Sequence, residues 1–257
     1  MPEAIEMFRL EGLPDFAPGD DVADAIITLL DEQKKALQQG DILVIAHKVI
    51  SKSEGAIRFL QDVEPGPDAI ELARTVNKDP RKVQVVLDQS NRIVRAVSHA
   101  GHKEGVLIAE HKLGHVCANA AVDESNADQE GMLITLPDDP DSSARQIADK
   151  LNQHYGITTG VVISDTFGRP WRLGQTNVAI GVASIPALMV MEGETDAYGR
   201  PLTVTAPAFA DELAGASGLL MEKSAATPVI IFRGLHWTPC DSSSRDLIRS
   251  AKEDLFR

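Results

Sequence analysis

The order of apolar and polar positions along the chain predicts a mixture of helices and strands. Short apolar runs indicate buried strands, and apolar residues three and four apart indicate amphipathic helices. The predicted strands are 42–46, 91–97, 105–110, 116–122, 132–136, 160–163, 178–183, 202–205 and 228–232. The first predicted helix is capped at 20–21 and stopped by Gly40. The other predicted helices are 67–76, a short helix that begins at 80, 142–154, 207–223 and 245–256. Because strands and helices do not alternate regularly, we predict an α+β fold of mixed sheets with flanking helices.

The most informative polar segment follows the apolar run at 160–163. The run ends in Asp165 and Thr166, and Arg169 and Arg172 follow within a few residues. Carboxylate and hydroxyl oxygens beside guanidinium groups suit a magnesium or manganese ion that holds a phosphate. We therefore expect Asp165 and Arg169 to take part in catalysis, and Arg172 to bind a phosphate group of the substrate or cofactor. The alternative is an ordinary solvated loop after a core strand.

Two further polar residues stand beside apolar runs in a similar way. Asp123 follows the run at 116–122, so that it can meet Asp165 at one divalent cation, although an ordinary turn residue is the alternative. Lys52 is predicted to lie just past a strand, where its ammonium group can reach a phosphate and take part in catalysis, and a solvated surface lysine is its alternative. Arg233, after the last predicted strand, is a weaker candidate, with a surface role as its alternative.

Composition narrows the range of partners. A formal net charge of −13 over 257 residues argues against nonspecific nucleic-acid binding, which needs a basic surface. Apolar stretches reach nowhere near the ~18 residues of a membrane span, and the acidic start of the chain is unlike a signal peptide. Two cysteines are too few for a disulfide framework. We expect a cytoplasmic protein without membrane or nucleic-acid partners, in which Cys117 is a packed, unreactive residue.

Three segments together resemble one known family. The longest reads Asp-Thr-Phe-Gly-Arg-Pro-Trp-Arg-Leu-Gly-Gln-Thr-Asn and covers 165–177. The others are the strand-and-lysine segment 40–55 and the segment 116–126, which contains Asn-Ala-Ala-Val-Asp-Glu-Ser-Asn. They resemble the coenzyme F(420)-0:L-glutamate ligases, which add glutamate to a deazaflavin cofactor. The matches run in order from about Leu10 to Arg257, so that the resemblance covers nearly the whole chain.

The resemblance implies a specific activity. It implies a ligase that joins L-glutamate to coenzyme F420-0, uses GTP and Mg²⁺ or Mn²⁺, and proceeds through an acyl phosphate. It also implies an intertwined homodimer of a family-specific α+β fold, and we expect one ligase domain over 1–257, with possible subdomains and without a fused reductase. The implied metal ligands are Asp123, Asp165 and Thr166. The implied nucleotide contacts are Leu13, Pro14, Asp15, Phe16, His47, Lys48, Lys52 and Asn126.

Two alternatives stay open. The segment 221–228 lacks the glycines that relatives carry there, which leaves room for a different nucleotide or for a ligase with another carboxylate acceptor. The second alternative is a nucleotide- and metal-binding protein without ligase activity. The separate roles of Gln175, Thr176 and Asn177 are not assigned.

Four histidines offer a competing interpretation. His99, His102, His111 and His115 have spacings that zinc sites also show. Without a cysteine pair, and with a hairpin that would separate the rings, we expect exposed polar residues there instead.

Overall fold

The computed structural model describes residues 4–98, 101, 103–127, 129–221 and 226–254, and it has the predicted α+β architecture. The described strands are β1 (Glu6–Arg9), β2 (Ile42–Ala46), β3 (Ile57–Phe59), β4 (Ser90–Val97), β5 (Val106–His111), β6 (Val116–Ala118), β7 (Met132–Ile134), β8 (Gly160–Arg169), β9 (Arg172–Ala183) and β10 (Val229–Arg233). The described α-helices are α1 (Val22–Glu32), α2 (His47–Ser53), α3 (Pro67–Val76), α4 (Pro80–Asp88), α5 (Pro140–Tyr155) and α6 (Phe209–Ser217). Within these residues, no helix is both long and apolar enough to cross a membrane.

A five-stranded sheet in the order β1-β10-β2-β8-β9 lies at the centre of the fold. β2 pairs in parallel with β8, and the other neighbours in this sheet are antiparallel. Two smaller sheets, β3-β7 and β4-β5-β6, accompany it. The parallel pair brings Ala46, at the end of β2, opposite Ser164, so that residues just beyond these two positions lie side by side.

Side chains of β2 alternate between two hydrophobic cores. Leu43 and Ile45 pack in a core with α1 and α5, whereas Ile42 and Val44 pack in a second core with α6. Successive side chains of a strand point to opposite faces. Since helices cover both faces of this sheet, the sequence of β2 has no polar position among these four residues.

A third core lies between the helix pair α3 and α4 and the sheet β4-β5-β6, with Ala73, Val83 and Leu107 among its buried residues. Both helices begin with proline in their first turn, where the missing N–H costs no hydrogen bond. The prediction of a single domain over 1–257 stays a prediction, since hydrophobic cores alone do not define domain boundaries.

The largest difference from the sequence prediction concerns 164–177. We predicted strands only at 160–163 and 178–183, but β8 continues through Arg169 and β9 begins at Arg172, so that the segment forms a long β-hairpin. Its register places Asp165 opposite Val178 and Thr166 opposite Asn177. Because each strand residue advances the chain by about 3.3 Å, the polar side chains are spread along the hairpin, with Arg169 and Arg172 at its turn.

Two predicted helices end early. The first helix ends at Glu32 because Lys34 adopts a left-handed φ of 53°, and Leu37 reaches the core from the loop beyond. The helix predicted over 207–223 corresponds to α6, which begins at Phe209 and ends at Ser217, just before Gly218. Glycine near a helix end weakens the helix because it loses the most backbone freedom on ordering.

Three further predictions were wrong. In the described part of the closing helix predicted over 245–256, which ends at 254, only a 3₁₀ turn forms, Ser244–Leu247, because Asp141 and the capping box of Ser243 hold the chain there. Residues 202–205 form no strand, and their side chains are largely exposed. The strand from 116 stops at Ala118, because the next three residues all have positive φ.

Candidate active site

A cavity of about 1130 Å³ opens where β2 gives way to α2. Its walls come from 13–16, α2, 117–127, the base of the β8–β9 hairpin and the region after α6. The wall at 119–121 contains three successive non-glycine residues with φ near 50°, namely Asn119, Ala120 and Ala121. Each such residue costs about 1–2 kcal/mol relative to right-handed backbone, so that the surrounding structure must hold this turn in place.

His47 and Asp165 meet inside this cavity. The parallel pairing of β2 and β8 brings the first residue of α2 beside Asp165, and Nε2 of His47 lies 3.2 Å from Oδ1 of Asp165. Both side chains are largely buried, with 3% and 14% of their surface exposed. The contact does not meet the geometry of a regular hydrogen bond, so it is best described as electrostatic.

The environment keeps Asp165 ionised. Burial alone would raise its pKa, but the electrostatic contact with His47, the backbone amide of Thr166 and the nearby Lys48 together bring the pKa of Asp165 below its ordinary value. The Thr166 amide donates to Oδ1 of Asp165 at 2.6 Å. A carboxylate that is both buried and ionised is a suitable ligand for a cation.

Asp123 forms the second acidic position of the cavity. The backbone of Asp123 pairs with Ile134, and its side chain contacts Lys48 and Ser125. Nζ of Lys48 lies 2.5 Å from Oδ2 of Asp123, and Ser125 donates both its amide and its hydroxyl to the carboxylate. Burial opposes ionisation, but these hydrogen bonds outweigh it and lower the pKa of Asp123 to about 2.

Thr166 completes a set of three oxygen donors. Its hydroxyl donates to Oδ1 of Asn177, directly across the hairpin, at 2.8 Å. The hydroxyl proton is therefore engaged, and the oxygen lone pairs remain available to a cation. The amide of Asn177 is in turn 3.8 Å from the sulfur of Met221.

These donors fit a hard divalent cation. Asp123, Asp165 and Thr166 line one cavity and offer two carboxylates and a hydroxyl. Among the described residues, His, Cys, Asp and Glu form no cluster of three or more at metal-binding spacing. Magnesium is usually bound by one or two carboxylates together with waters and substrate phosphates, so Asp123, Asp165 and Thr166 are residues that could hold such an ion.

Comparisons with known proteins show the family of this chain. Residues 12–234 match the family model described as F420-0:Gamma-glutamyl ligase. The chain belongs to this family.

Curated relatives of the family cover nearly the full chain. A coenzyme F420:L-glutamate ligase from Methanothermobacter thermautotrophicus is 41% identical over 256 residues, covering 98% of this chain and 99% of the relative. The protein of the same name from Methanopyrus kandleri is 42% identical and covers 97% of each chain. That from Methanocaldococcus jannaschii is 43% identical over 222 residues, or 86% of each chain. Similarity at this level extends well beyond the site motifs.

Most residues that the sequence analysis proposed for the site line this cavity. The lining residues among them are Leu13, Pro14, Asp15, Phe16, His47, Lys48, Lys52, Asp123, Asn126, Asp165 and Thr166. Lys52 is not just past a strand, as predicted, but in the last turn of α2. It lies four residues after Lys48, which places both side chains on one side of the helix.

The two arginines of the long motif lie elsewhere. Arg169 and Arg172 are exposed near the turn of the β8–β9 hairpin and do not line the cavity. Arg169 instead donates to the carbonyl of Leu173 at 2.9 Å. Arg233 is bound to the buried Asp41 through two hydrogen bonds of 2.6 and 2.9 Å, which indicates a role in stability.

The prediction of exposed histidines was wrong where it can be compared. His111 is 3% exposed, and burial, with nearby cations, lowers its pKa to about 4. Burial also lowers the pKa of His115, whose ring contacts Phe167 edge to face. His99 and His102 lie outside the described residues. Cys117 is buried as expected, and burial raises its pKa to about 12.

Sequence reasoning missed two residues that surround the acidic groups, Ser51, which contacts His47, and Ser125, which contacts Asp123. It named Asn177 without a role, and the structure shows that Asn177 accepts the hydroxyl of Thr166. Ser125 was detectable, because an Asp-x-Ser sequence favours a turn in which the carboxylate accepts the following amides. Ser51 was hidden because 47–53 was not predicted to be helical.

Proposed function

We propose that this protein catalyses the addition of L-glutamate to coenzyme F420-0, and that the reaction depends on GTP and a divalent metal ion. The names of its relatives support the ligation of glutamate, and the dependence on GTP and metal is part of the proposal. The observation that carries the proposal is one cavity lined by two ionised carboxylates, Asp123 and Asp165, by the hydroxyl of Thr166 and by the ammonium of Lys52. Membership of the family suggests the reaction, and the cavity offers charged groups that suit the metal ion and the phosphate groups of that reaction.

The reaction needs an activated acceptor. A carboxylate is not attacked by an amine at neutral pH, because its oxygen is a poor leaving group. In the proposed mechanism, an oxygen of the F420-0 carboxylate attacks the γ-phosphorus of GTP, and the bond to the β-phosphate oxygen breaks to release GDP. The glutamate amine then attacks the acyl carbon, phosphate leaves with the bonding pair, and the amine loses a proton. No covalent bond to the protein is required.

The protein positions these reactants and balances their charge. Asp123, Asp165 and Thr166 would hold Mg²⁺ or Mn²⁺, which when bound supplies charge neutralisation for the transferring phosphoryl group. Lys52 lines the same cavity and has no ion pair among the described residues, so that its ammonium is available to a nucleotide phosphate. Leu13 to Phe16 and Asn126 provide the wall for the rest of the nucleotide.

Glycines near the cavity bear on the choice of nucleotide. The segment after Met221 lacks them, but Gly215 and Gly218 line the cavity. A Cβ at Gly218 would lie 3.3 Å from Nδ2 of Asn177, so the backbone approaches the polar wall closely there. This close approach explains the glycine at 218 by packing against Asn177, and the C-terminal end of a helix does not favour phosphate, so the assay below decides which nucleotide is used.

The same proposal includes a cytoplasmic homodimer. Trp171 and Leu173 at the hairpin turn are 81% and 99% exposed, and a projecting apolar turn is typical of a surface that contacts a second chain. Light scattering on the purified protein tests this: a mass near twice 27.7 kDa supports the dimer, and a mass of 27.7 kDa contradicts it.

A mass-spectrometric assay tests the function. The protein is incubated with F420-0, L-glutamate, GTP and Mn²⁺, and each component is omitted in turn. Glutamyl mass increments that require every component support the proposal and report the number of glutamates added. With F420-0 labelled by ¹⁸O in its carboxylate, transfer of one ¹⁸O to phosphate supports the acyl phosphate. Increments with ATP alone would correct the nucleotide, and the absence of any increment would favour another carboxylate acceptor, as the glycine-poor segment allows.

A further inference from the structure

Behind the His47–Asp165 contact lies a second polar contact that the proposed reaction does not use. Oγ of Ser51 is 3.1 Å from Nδ1 of His47, while Nε2 on the other side of the ring faces Asp165. Ser51 is fully buried and His47 is 2% exposed, so that solvent competes little for this contact. The two contacts connect Ser51 through His47 to Asp165 at the cavity.

The hydroxyl of Ser51 is used in an unusual way for a helix. Serine inside a helix commonly bonds to a carbonyl of the preceding turn. Ser53 follows that rule and donates to the carbonyl of Ile50 at 2.9 Å. Ser51 has no such bond among the described residues, and its one side-chain contact is with the His47 ring, four residues earlier on the same helix face.

Counting donors and acceptors distinguishes the two neutral forms of His47. A neutral imidazole has one N–H and one lone pair. If Nδ1 carried the proton, the lone pair of Nε2 would lie 3.2 Å from a carboxylate oxygen, and the two would repel each other. If Ser51 donates to Nδ1, the proton is on Nε2 and faces Asp165, which is the favourable arrangement of charge.

We propose that Ser51 is a positioning residue of the proposed ligase site, whose hydroxyl donates to Nδ1 of His47 and thereby holds the Nε2–H of that ring towards Asp165. The carboxylate of Asp165 is then kept in one orientation within the oxygen-donor set. The proposal rests on the proposed function only for what Asp165 does once it is oriented; the arrangement of the ring is a property of the protein alone.

The first test is the tautomer of His47 in the unmodified protein. In protein labelled with ¹⁵N at histidine, long-range proton–nitrogen spectra show which ring nitrogen carries hydrogen, and the His47→Gln variant assigns the signals. We expect hydrogen on Nε2 and a lone pair on Nδ1. Hydrogen on Nδ1, or on both nitrogens, would overturn the proposal. This result does not depend on whether any variant folds.

The second test compares two serines of one helix. Ser51→Ala removes the proposed donor, and Ser53→Ala removes a buried hydroxyl that has no contact with the site. We expect Ser51→Ala to weaken Mn²⁺ binding about tenfold, as loss of an outer partner does at metal sites. We expect Ser53→Ala to bind Mn²⁺ like the unmodified protein, and Ser51→Thr, which retains the hydroxyl, to restore most of the affinity. Equal affinity in Ser51→Ala and the unmodified protein would overturn the proposal.

Failure of this inference and failure of the proposed function give different results. If the unmodified protein shows the expected tautomer but adds no glutamate to F420-0, the proposed function fails and the role of Ser51 stands. If it adds glutamate but carries hydrogen on Nδ1 of His47, the role of Ser51 fails and the function stands.

Discussion

Nζ of Lys48 lies 2.5 Å from Oδ2 of Asp123, so that one of the two carboxylates proposed to bind the metal is already paired with a cation from the protein. The lysine comes from the first turn of α2 and the aspartate from a loop that pairs with Ile134. The contact therefore links two walls of the cavity, and it accounts for much of the low pKa of Asp123 once burial is overcome.

Replacing Lys48 with methionine tests this link. We expect Lys48→Met to lower the free energy of unfolding by about 1 kcal/mol, because Asp123 is 43% exposed and solvent screens much of the lost attraction. Lys52→Met is the matched control on the same helix, since Lys52 has no ion pair among the described residues, and it should change stability little. Mn²⁺ should raise the melting temperature of Lys48→Met more than that of the unmodified protein. Equal shifts would show that the metal does not reach Asp123.

We expect Asn177 to affect catalysis through its hydrogen bond with Thr166. Asn177→Ala removes the acceptor of the Thr166 hydroxyl, so that the hydroxyl can turn and engage its oxygen elsewhere. We expect kcat to fall about tenfold or more, with a smaller change in the KM for glutamate. Asn177→Asp retains the acceptor oxygen and should recover part of the rate. Unchanged kinetics in Asn177→Ala would remove Thr166 from the donor set.

His111 predicts the acid sensitivity of the fold. Its folded pKa is about 4, against an ordinary value of 6.5, so that the unfolded chain binds a proton first as the pH falls. The free energy of unfolding therefore falls as the pH falls from about 6.5 to about 4, and the loss is on the order of 3 kcal/mol. His115, whose pKa is also lowered, acts in the same direction.

The variant His111→Asn checks this contribution. Asparagine keeps an acceptor for the amide of Leu113, which now donates to Nδ1 of His111 at 3.0 Å, but it does not titrate. Denaturant unfolding at several pH values should show a shallower loss of stability between pH 6.5 and 4 in the variant. Parallel curves for the variant and the unmodified protein would contradict the assignment to His111.

Arg233 should behave as a structural residue. Asp41 is 1% exposed, and removal of its guanidinium partner leaves a buried charge without compensation. We expect Arg233→Gln to destabilise the protein by about 3 kcal/mol, with the double variant Arg233→Gln, Asp41→Asn recovering part of it. Glutamyl transfer at low temperature should stay near normal. A selective loss of activity with full stability would return Arg233 to the list of substrate contacts.

Particular residues show how far the sequence could be interpreted. The buried strand β2 was predictable because the side chains of residues 42–45 are all apolar and pack against a core on each face of the sheet. Asp123 and Asp165 were recognisable as polar residues at the ends of apolar runs. The motif at 165–177 lies on one hairpin, but the structure places Arg169 and Arg172 at its turn, outside the cavity that Asp165 lines. Closeness in sequence grouped these arginines with Asp165, whereas an extended strand separates residues four apart by about 13 Å.

Other features lay beyond local signals. The left-handed turn Asn119–Ala121 contains two alanines, which have no intrinsic preference for positive φ, so that tertiary packing must impose it. The short helix α2 has only seven residues and follows a strand without a side-chain cap, so that nothing in the sequence marks its start. The roles of Ser51 and Lys52 depend on that helix and could be inferred only from the structure.

The most direct test of the site is glutamyl transfer by Asp165→Asn beside the unmodified protein. Asparagine has nearly the same shape but no charge, and the loss of a metal-binding carboxylate removes several kcal/mol of transition-state stabilisation. Mass spectrometry of F420-0 incubated with glutamate, GTP and Mn²⁺ should show glutamyl increments with the unmodified protein. With folded Asp165→Asn, the rate should be at least about a thousandfold lower. Equal increments from both proteins would show that the cavity around Asp165 is not where the reaction occurs.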